Sequence, residues 1–343
     1  MDIKKAIYEK VRAEGKEDST AEAYYGWTRR YLDFCRDRKL GKETPAEEAV
    51  EQFLSMLANR LDVSAATQNQ AFSALCYFYA KVRERPLVNV SALRAKPGQT
   101  VRNVADQSEI LAIFEELDGI ALTVARMMYG CNFRIGEIGK LRIKDISFER
   151  KQVAIHAAKG KKDRIVAFPE VLHSAVERQI DSMRVLHRHD VAERLNGVSL
   201  PHAWGRKSPS SRLEFGWYYL FSADDYSKCP LTGTLYRHHR DMGNVARRIK
   251  QAAQRAGIEK RITSHCLRHS FATHSLEGGV PIHVVKELMG HTSIETTQTY
   301  AHVAKDGITA ARNPLQQLLA DPELAKANRA KPAEPFRLQL YTG

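Results

Sequence analysis

Between Ser264 and Tyr300 the chain reads SHCLRHSFATHSLEGGVPIHVVKELMGHTSIETTQTY, which gathers His265, Arg268, His291 and Tyr300. The fork of an arginine matches two oxygens of a phosphate at once, and histidines can donate to the oxygens that remain. A tyrosine hydroxyl can attack phosphorus and form a covalent intermediate. A phosphotyrosine keeps the energy of the phosphodiester it replaces, so a broken strand can be rejoined without ATP or a metal. Phosphoryl chemistry on a polyanion is therefore what these side chains suit.

Helices must bring them together. Ile282, Val285, Leu288 and Met289 recur at three- and four-residue steps and predict one helix. Pro281 suits its first turn and Gly290 its C-terminal cap, so His291 falls just past the end. Ser264 is expected to cap an earlier helix that carries Arg268 one turn in. Tyr300 lies beyond a second capping residue, Ser293. A metal site on His265, His269 and His274 competes for the same stretch. Cys266 stands where the zincin pattern needs a glutamate, and His269 and His274 would lie on different helix faces, so no metal is expected.

The segments LRHSFATH (267–274), ELMGH (287–291) and TTQTYAH (296–302) resemble the motifs of tyrosine recombinases, the phage-integrase family. Upstream, MMYGCNFRIGEIGKLRIKDI (127–146) resembles the family's first catalytic box. Taken alone, Arg134 and Glu137 read as an i,i+3 surface pair; the resemblance implies instead that Arg134 clamps the scissile phosphate. Asn132, Phe133 and Gly136 depart from the usual pattern around it. QVAIHAA (152–158) and RIVAF (164–168) predict a hairpin turned by KGKKD. By itself that turn is a solvated one. The resemblance implies that Lys159 protonates the leaving 5′ oxygen, with Lys161 and Lys162 on phosphates. It further implies Arg134 and Arg268 on the nonbridging oxygens, His265 and His291 as hydrogen-bond donors, Tyr300 as nucleophile, and no cofactor.

Composition agrees with such a partner. The 343 residues carry a formal charge of +13, from 53 Lys+Arg against 40 Asp+Glu. Residues 237–261 are especially basic, and in the helix predicted over 241–257 Arg247, Arg248 and Lys250 suit backbone phosphates. The five cysteines are scattered, without metal-ligand spacing. No apolar run nears the ~18–20 residues of a membrane span, and the N-terminus lacks a signal-peptide core, so a cytoplasmic protein is expected.

The expected fold is mainly α with a small β-hairpin in the catalytic domain (α+β), arranged as the two-domain, C-shaped DNA clamp of tyrosine recombinases. Residues 1–95 read as a helical bundle, with Ser19 or Thr20 as a cap. Its stripes are Tyr24, Trp27, Tyr31 and Phe34, then Phe53, Leu54, Leu57 and Leu61, then Phe72, Leu75, Phe78, Tyr79 and Val82. By resemblance this is the core-binding, SAM-like domain. Residues 96–106 form a basic linker, 107–320 the catalytic domain, and 321–343 a flexible tail. Helices are predicted over 107–117, 119–130 and 170–193. Leu315, Leu318 and Leu319 are expected to be buried only against a neighbouring protomer.

A texture change marks an insertion at about 197–223, where five aromatics crowd residues 215–221. Aromatic side chains beside Arg and Lys make platforms for unpaired bases, and equally make core. LPHA, GWYYLF and TGTLYRHHRD resemble the integron integrases, whose insertion holds bases flipped from a folded single-stranded attC hairpin. Trp204, Trp217 and Tyr218 are the implied stacking residues, with His202 and Lys207 in support. The resemblance implies cassette integration and excision at attC and duplex attI, by a tetramer assembled on DNA from monomers. Alternatives are a phage- or Xer-like recombinase of duplex sites, a type IB topoisomerase, and a non-catalytic DNA-binding relative.

Overall fold

The computed structural model describes residues 2–16, 18–41, 43–61, 63–95, 103–158, 162–229, 233–289 and 314–320. The chain divides into two compact units, Met1–Val101 and Arg102–Gly343. Both are dominated by helix, with two small antiparallel sheets in the second, as the mainly α reading expects. Among the described residues no helix is long and apolar enough to cross a membrane.

The first unit consists of α1 (Ile3–Ala13), α2 (Asp18–Asp37), α3 (Ala46–Arg60) and α4 (Ala65–Tyr77), the last running into a π-helical turn, Phe78–Val82. Apolar residues at helical spacing make its two cores. Trp27, Tyr31, Phe53, Leu54 and Leu75 form one; Ile7, Val11, Tyr77 and Phe78 form the other. Two expectations are corrected. Helix α2 already begins at Asp18, so Ser19 and Thr20 lie inside it, and Leu61 is 60% exposed just past the end of α3.

In the second unit α5 (Gln107–Glu115) opens with an Asp106–Glu109 capping box, and α6 (Gly119–Gly130) follows at once. Then come α7 (Ile135–Lys140) and the strands β1 (Ile146–Ser147), β2 (Gln152–Ala158) and β3 (Lys162–Ala167), ordered β1-β2-β3. Helix α8 (His173–Ala192) is preceded by a 3-10 turn, Glu170–Leu172. The insertion contributes α9 (His202–Lys207) and two 3-10 turns, Pro209–Leu213 and Phe215–Trp217. A second hairpin, β4 (Ser222–Lys228) and β5 (Leu235–His239), leads to α10 (Met242–Arg255), α11 (Ser264–Glu277), α12 (Ile282–Met289) and a C-terminal helix, Pro314–Ala320.

One core runs through α5, α6, the first hairpin, α8, α10, α11 and the C-terminal helix. Leu315 and Leu318 are buried in it, within their own chain, contrary to the expectation of burial only against a neighbour. Helix α6 makes room for them at Gly130, where a Cβ would come within 2.5 Å of Leu315 Cδ2. The insertion is closed at its base in a similar way. Gly197 has φ +69°, and a Cβ there would lie 2.2 Å from the Arg212 carbonyl oxygen, which accepts the Val198 N–H at 3.1 Å.

Candidate active site

Arg134 is the N-cap of α7, in extended conformation, and Glu137 reaches back to it. The Glu137 carboxylate accepts the Arg134 backbone N–H and the Arg134 Nη1, each at 2.8 Å. It also accepts both terminal nitrogens of Arg164 on β3, at 2.8 and 2.7 Å. The Arg134–Glu137 pair is thus no solvated surface pair, since the Glu137 side chain is only 10% exposed. Burial pushes the Glu137 carboxyl up, but hydrogen bonds from Arg164, the Arg134 backbone and the Arg134 guanidinium overcome it and hold the pKa at about 2.

Helix α11 brings the second arginine. Its N-cap is Thr263, one residue before the expected Ser264, and Thr263 N–H lies 3.3 Å from Cys266 Sγ. His265 then sits in the first turn and Arg268 one turn on. The Arg268 guanidinium, almost fully buried, donates to the carbonyls of Asn132 and Met289, so it is braced between the turn that enters α7 and the end of α12. Its Nη1 also lies 4.0 Å from Glu137 Oε2. Arg134 and Arg268, from distant segments, therefore converge on the carboxylate that Arg164 also holds. His265 feels both: partial desolvation, then Arg268 and Arg134, lower its pKa. A neutral imidazole beside two fixed cations can donate to an anion or take up a proton as negative charge arrives. His274, from the competing metal reading, is buried, with Nδ1 2.8 Å from the Tyr129 hydroxyl.

Lys159, Lys161, His291 and Tyr300 lie outside the described residues, as do the side chains of Lys162 and His202. The hairpin that bears the lysine turn forms where predicted, with Val153 paired to Val166 and Ile155 to Arg164.

The insertion lies alongside the segment that follows α7. Leu220 N–H donates to the Leu141 carbonyl at 2.8 Å and Ile143 N–H to the Tyr218 carbonyl at 3.0 Å. Arg142, which the sequence did not single out, organises this seam. It donates to the carbonyls of Trp217 and Ser199 and lies 4.3 Å from the Tyr219 ring centroid. Trp204 is 43% exposed and faces Trp217, with centroids 5.3 Å apart at 30°. Lys144 Nζ sits 4.2 Å from the Trp217 ring. Lys207 is exposed nearby on α9.

Tyr218 is corrected as a stacking residue. It is fully buried, and its hydroxyl donates to Asp190 at 3.0 Å, so no ring face is open to a base. Arg237, counted among the basic residues suited to nucleic acid, is also buried. Its Nε and Nη2 hold Asp190 at 2.7 and 2.5 Å. On α10, Lys250 is exposed, Arg247 donates to Asn244 at 2.9 Å, and Arg248 is paired with Asp118 at 2.6 Å.

Residues 103–306 match the phage integrase family, and residues 3–89 match a phage integrase N-terminal SAM-like domain. The chain is 36% identical over 313 residues to an integrase/recombinase of Escherichia coli, covering 91% of this chain and 92% of that protein. It is 29% identical over 307 residues to tyrosine recombinase XerA of Thermococcus onnurineus (strain NA1), covering 87% and 90%. In fold it resembles a lambda integrase dimer bound to a COC′ core site, with TM-score 0.56, 15% identity and coverage of 88% and 96%. It likewise resembles the Tn1549 transposon integrase in complex with transposon right end DNA, with TM-score 0.53, 16% identity and coverage of 93% and 100%. With residues 127–146 and the SHCLRH helix within the matched span, the chain belongs to the phage integrase family and is a tyrosine site-specific recombinase.

Proposed function

We propose that the chain is a recombinase of integron-integrase type, which integrates and excises gene cassettes at duplex attI and folded single-stranded attC sites. Arg134 and Arg268 hold the nonbridging oxygens of the scissile phosphate and stabilise its more negative pentacoordinate transition state. His265 and His291 add hydrogen bonds and assist proton movement, taking up the proton that the attacking tyrosine hydroxyl sheds. Tyr300 attacks to give a 3′-phosphotyrosyl bond, and Lys159 protonates the leaving 5′ oxygen, a transfer for which ammonium suits better than guanidinium. No cofactor enters, because the phosphotyrosyl bond carries the energy for rejoining. The observation that carries this is the convergence of Arg134 and Arg268 on Glu137, with His265 close enough to feel both guanidiniums.

The first unit serves as the core-binding domain and the second as the catalytic domain. Arg247 and Lys250 meet backbone phosphates, and Arg248 joins them by exchanging Asp118 for DNA. Lys161 and Lys162 do so at the hairpin turn. The protein acts in the cytoplasm, as a monomer that assembles into a tetramer on paired sites. The finer, integron-type assignment is supported by the exposed Trp204 ring against Trp217, backed by Lys144 and close to Lys207. His202 is assigned a supporting contact there. An extrahelical base can stack on such a platform whatever its sequence.

Covalent trapping on denaturing gels tests both levels. Wild type and Tyr300→Phe are compared on a folded attC-like single strand and on the same site as duplex. Adduct from wild type only, favouring the hairpin, is the expected result. Adduct equally on duplex keeps the recombinase and removes the integron type. Persistent absence of adduct on a panel of sites, with binding intact, favours a non-catalytic relative.

A further inference from the structure

Side chains alternate along β3. Ile165 is 63% exposed, Val166 is buried, and Arg164, on the same side as Val166, turns inward opposite Ile155. An inward arginine next to the strand's apolar face needs a reason. Its side chain is 9% exposed, and both terminal nitrogens go to Glu137, one to each oxygen. Glu137 in turn holds Arg134 through backbone and guanidinium. A single carboxylate thus joins the strand that leaves the lysine turn to the cap residue of α7.

We infer that Arg164 is a positioning residue for strand cleavage, which acts through Glu137 to aim Arg134 at the scissile phosphate and to tie the Lys159 hairpin to it. This rests on the phosphate-clamp role proposed for Arg134. Without Arg164, the carboxylate keeps Arg134 as its near cation, with Arg268 4.0 Å away. In a partly dry site it then competes with the phosphate for both guanidiniums. Lysine repairs this in part, because a point charge cannot span both oxygens. The defect belongs to the chemical step, since DNA affinity is spread over many phosphates.

The test uses full-length protein and a nicked duplex of a site on which wild type forms adduct, made with a normal or a methylphosphonate linkage at the scissile position. On the normal linkage, Arg164→Gln is expected to slow single-turnover adduct formation about 100-fold at saturating DNA, the scale of an ångström-sized misplacement. The Kd from gel shifts changes by less than about 3-fold, as one lost contact among many allows. Arg164→Lys falls between. On the uncharged methylphosphonate, which no longer needs the full clamp, the Arg164→Gln defect shrinks to within about 5-fold. An equal defect on both linkages reduces Arg164 to a folding role and overturns the inference, as does a wild-type rate in Arg164→Gln. If Arg164→Gln fails to fold, Arg164→Lys carries the same comparison. Failure of wild type to form adduct on any site removes the clamp reading itself, a result distinct from either.

Discussion

The Arg268 guanidinium donates to the backbone carbonyl of Asn132, two residues before Arg134, so the backbone that leads into one arginine is the brace of the other. The carbonyl can point that way because Asn132 takes a left-handed conformation, φ +58°. Its own amide is buried and has no hydrogen-bond partner among the described residues at Oδ1 or Nδ2. The residue is there for its backbone more than for its side chain.

Asn132→Gly is therefore expected to be more stable than Asn132→Ala by about 1 kcal/mol, the reverse of the usual order, since a Cβ in the left-handed region costs about 1–2 kcal/mol. Urea denaturation of the two variants checks the order. Alanine as the more stable one would mean that the left-handed turn relaxes when the amide is lost. The alanine variant is also expected to form adduct more slowly than the glycine variant, because strain at position 132 shifts the carbonyl that holds Arg268.

Glu137 gives a pH signature. Its folded pKa of about 2 lies below the ordinary carboxylate value of 4.5. A depressed carboxylate contributes stability that is fully present above the unfolded pKa and is lost as pH falls through the folded one. The ΔG difference between wild type and Glu137→Gln should therefore be at its plateau above about pH 5 and shrink on acidification toward pH 2, by at most about 3 kcal/mol. A difference independent of pH from 6 to 3 would show that the carboxylate's charge does not stabilise the fold.

How much of this could be read beforehand depends on the range of the interaction. Helices α5, α6 and α10 and the β2–β3 hairpin follow from periodicity and caps, which are local, and they fall within a few residues of expectation. The α11 cap falls on Thr263, one residue before Ser264, because both residue types suit the role. Arg134 and Glu137 were visible as neighbours, but the second arginine on that carboxylate comes from β3, and only the strand's alternation hinted that Arg164 faces inward. Nothing local joins Asp190 to Arg237, so an arginine in a basic stretch reads as surface. The aromatic run at 215–221 is mostly turn and irregular backbone, where no period tells a buried ring such as Tyr218 from a partly buried one such as Trp217.

That buried pair makes the next prediction. Asp190 accepts Arg237 and Tyr218, and Arg237 Nη1 continues to the carbonyls of Ala223 and Asp224, so α8, the insertion and β4 are fastened at one point. Asp190→Asn leaves a buried guanidinium short of its counter-charge and is expected to cost about 3–5 kcal/mol. Tyr218→Phe loses one hydrogen bond and costs about 1 kcal/mol, with adduct formation on the hairpin substrate unchanged. Thermal or urea melts give the first two numbers and gels the third. A hairpin-specific loss in Tyr218→Phe, with its stability intact, would return Tyr218 to the list of DNA contacts.

Trp204 separates the two substrates. The residue is nearly half exposed and its ring packs against Trp217, so Trp204→Ala forfeits about 0.5–1.5 kcal/mol of ring contact. A stacked base would be worth about 1–3 kcal/mol, or roughly 5- to 150-fold in Kd. The folded single strand, with unpaired bases to offer, should therefore bind Trp204→Ala more weakly by that factor, and Trp204→Phe should recover part of it. The duplex has no base to give up without unstacking, and its Kd should stay within about 2-fold, being set by phosphates on other elements. Gel-shift titrations at one salt concentration measure all four. Equal, small changes on both substrates would leave the Trp204–Trp217 pair as a surface packing contact, and the insertion would then need another way to choose its DNA.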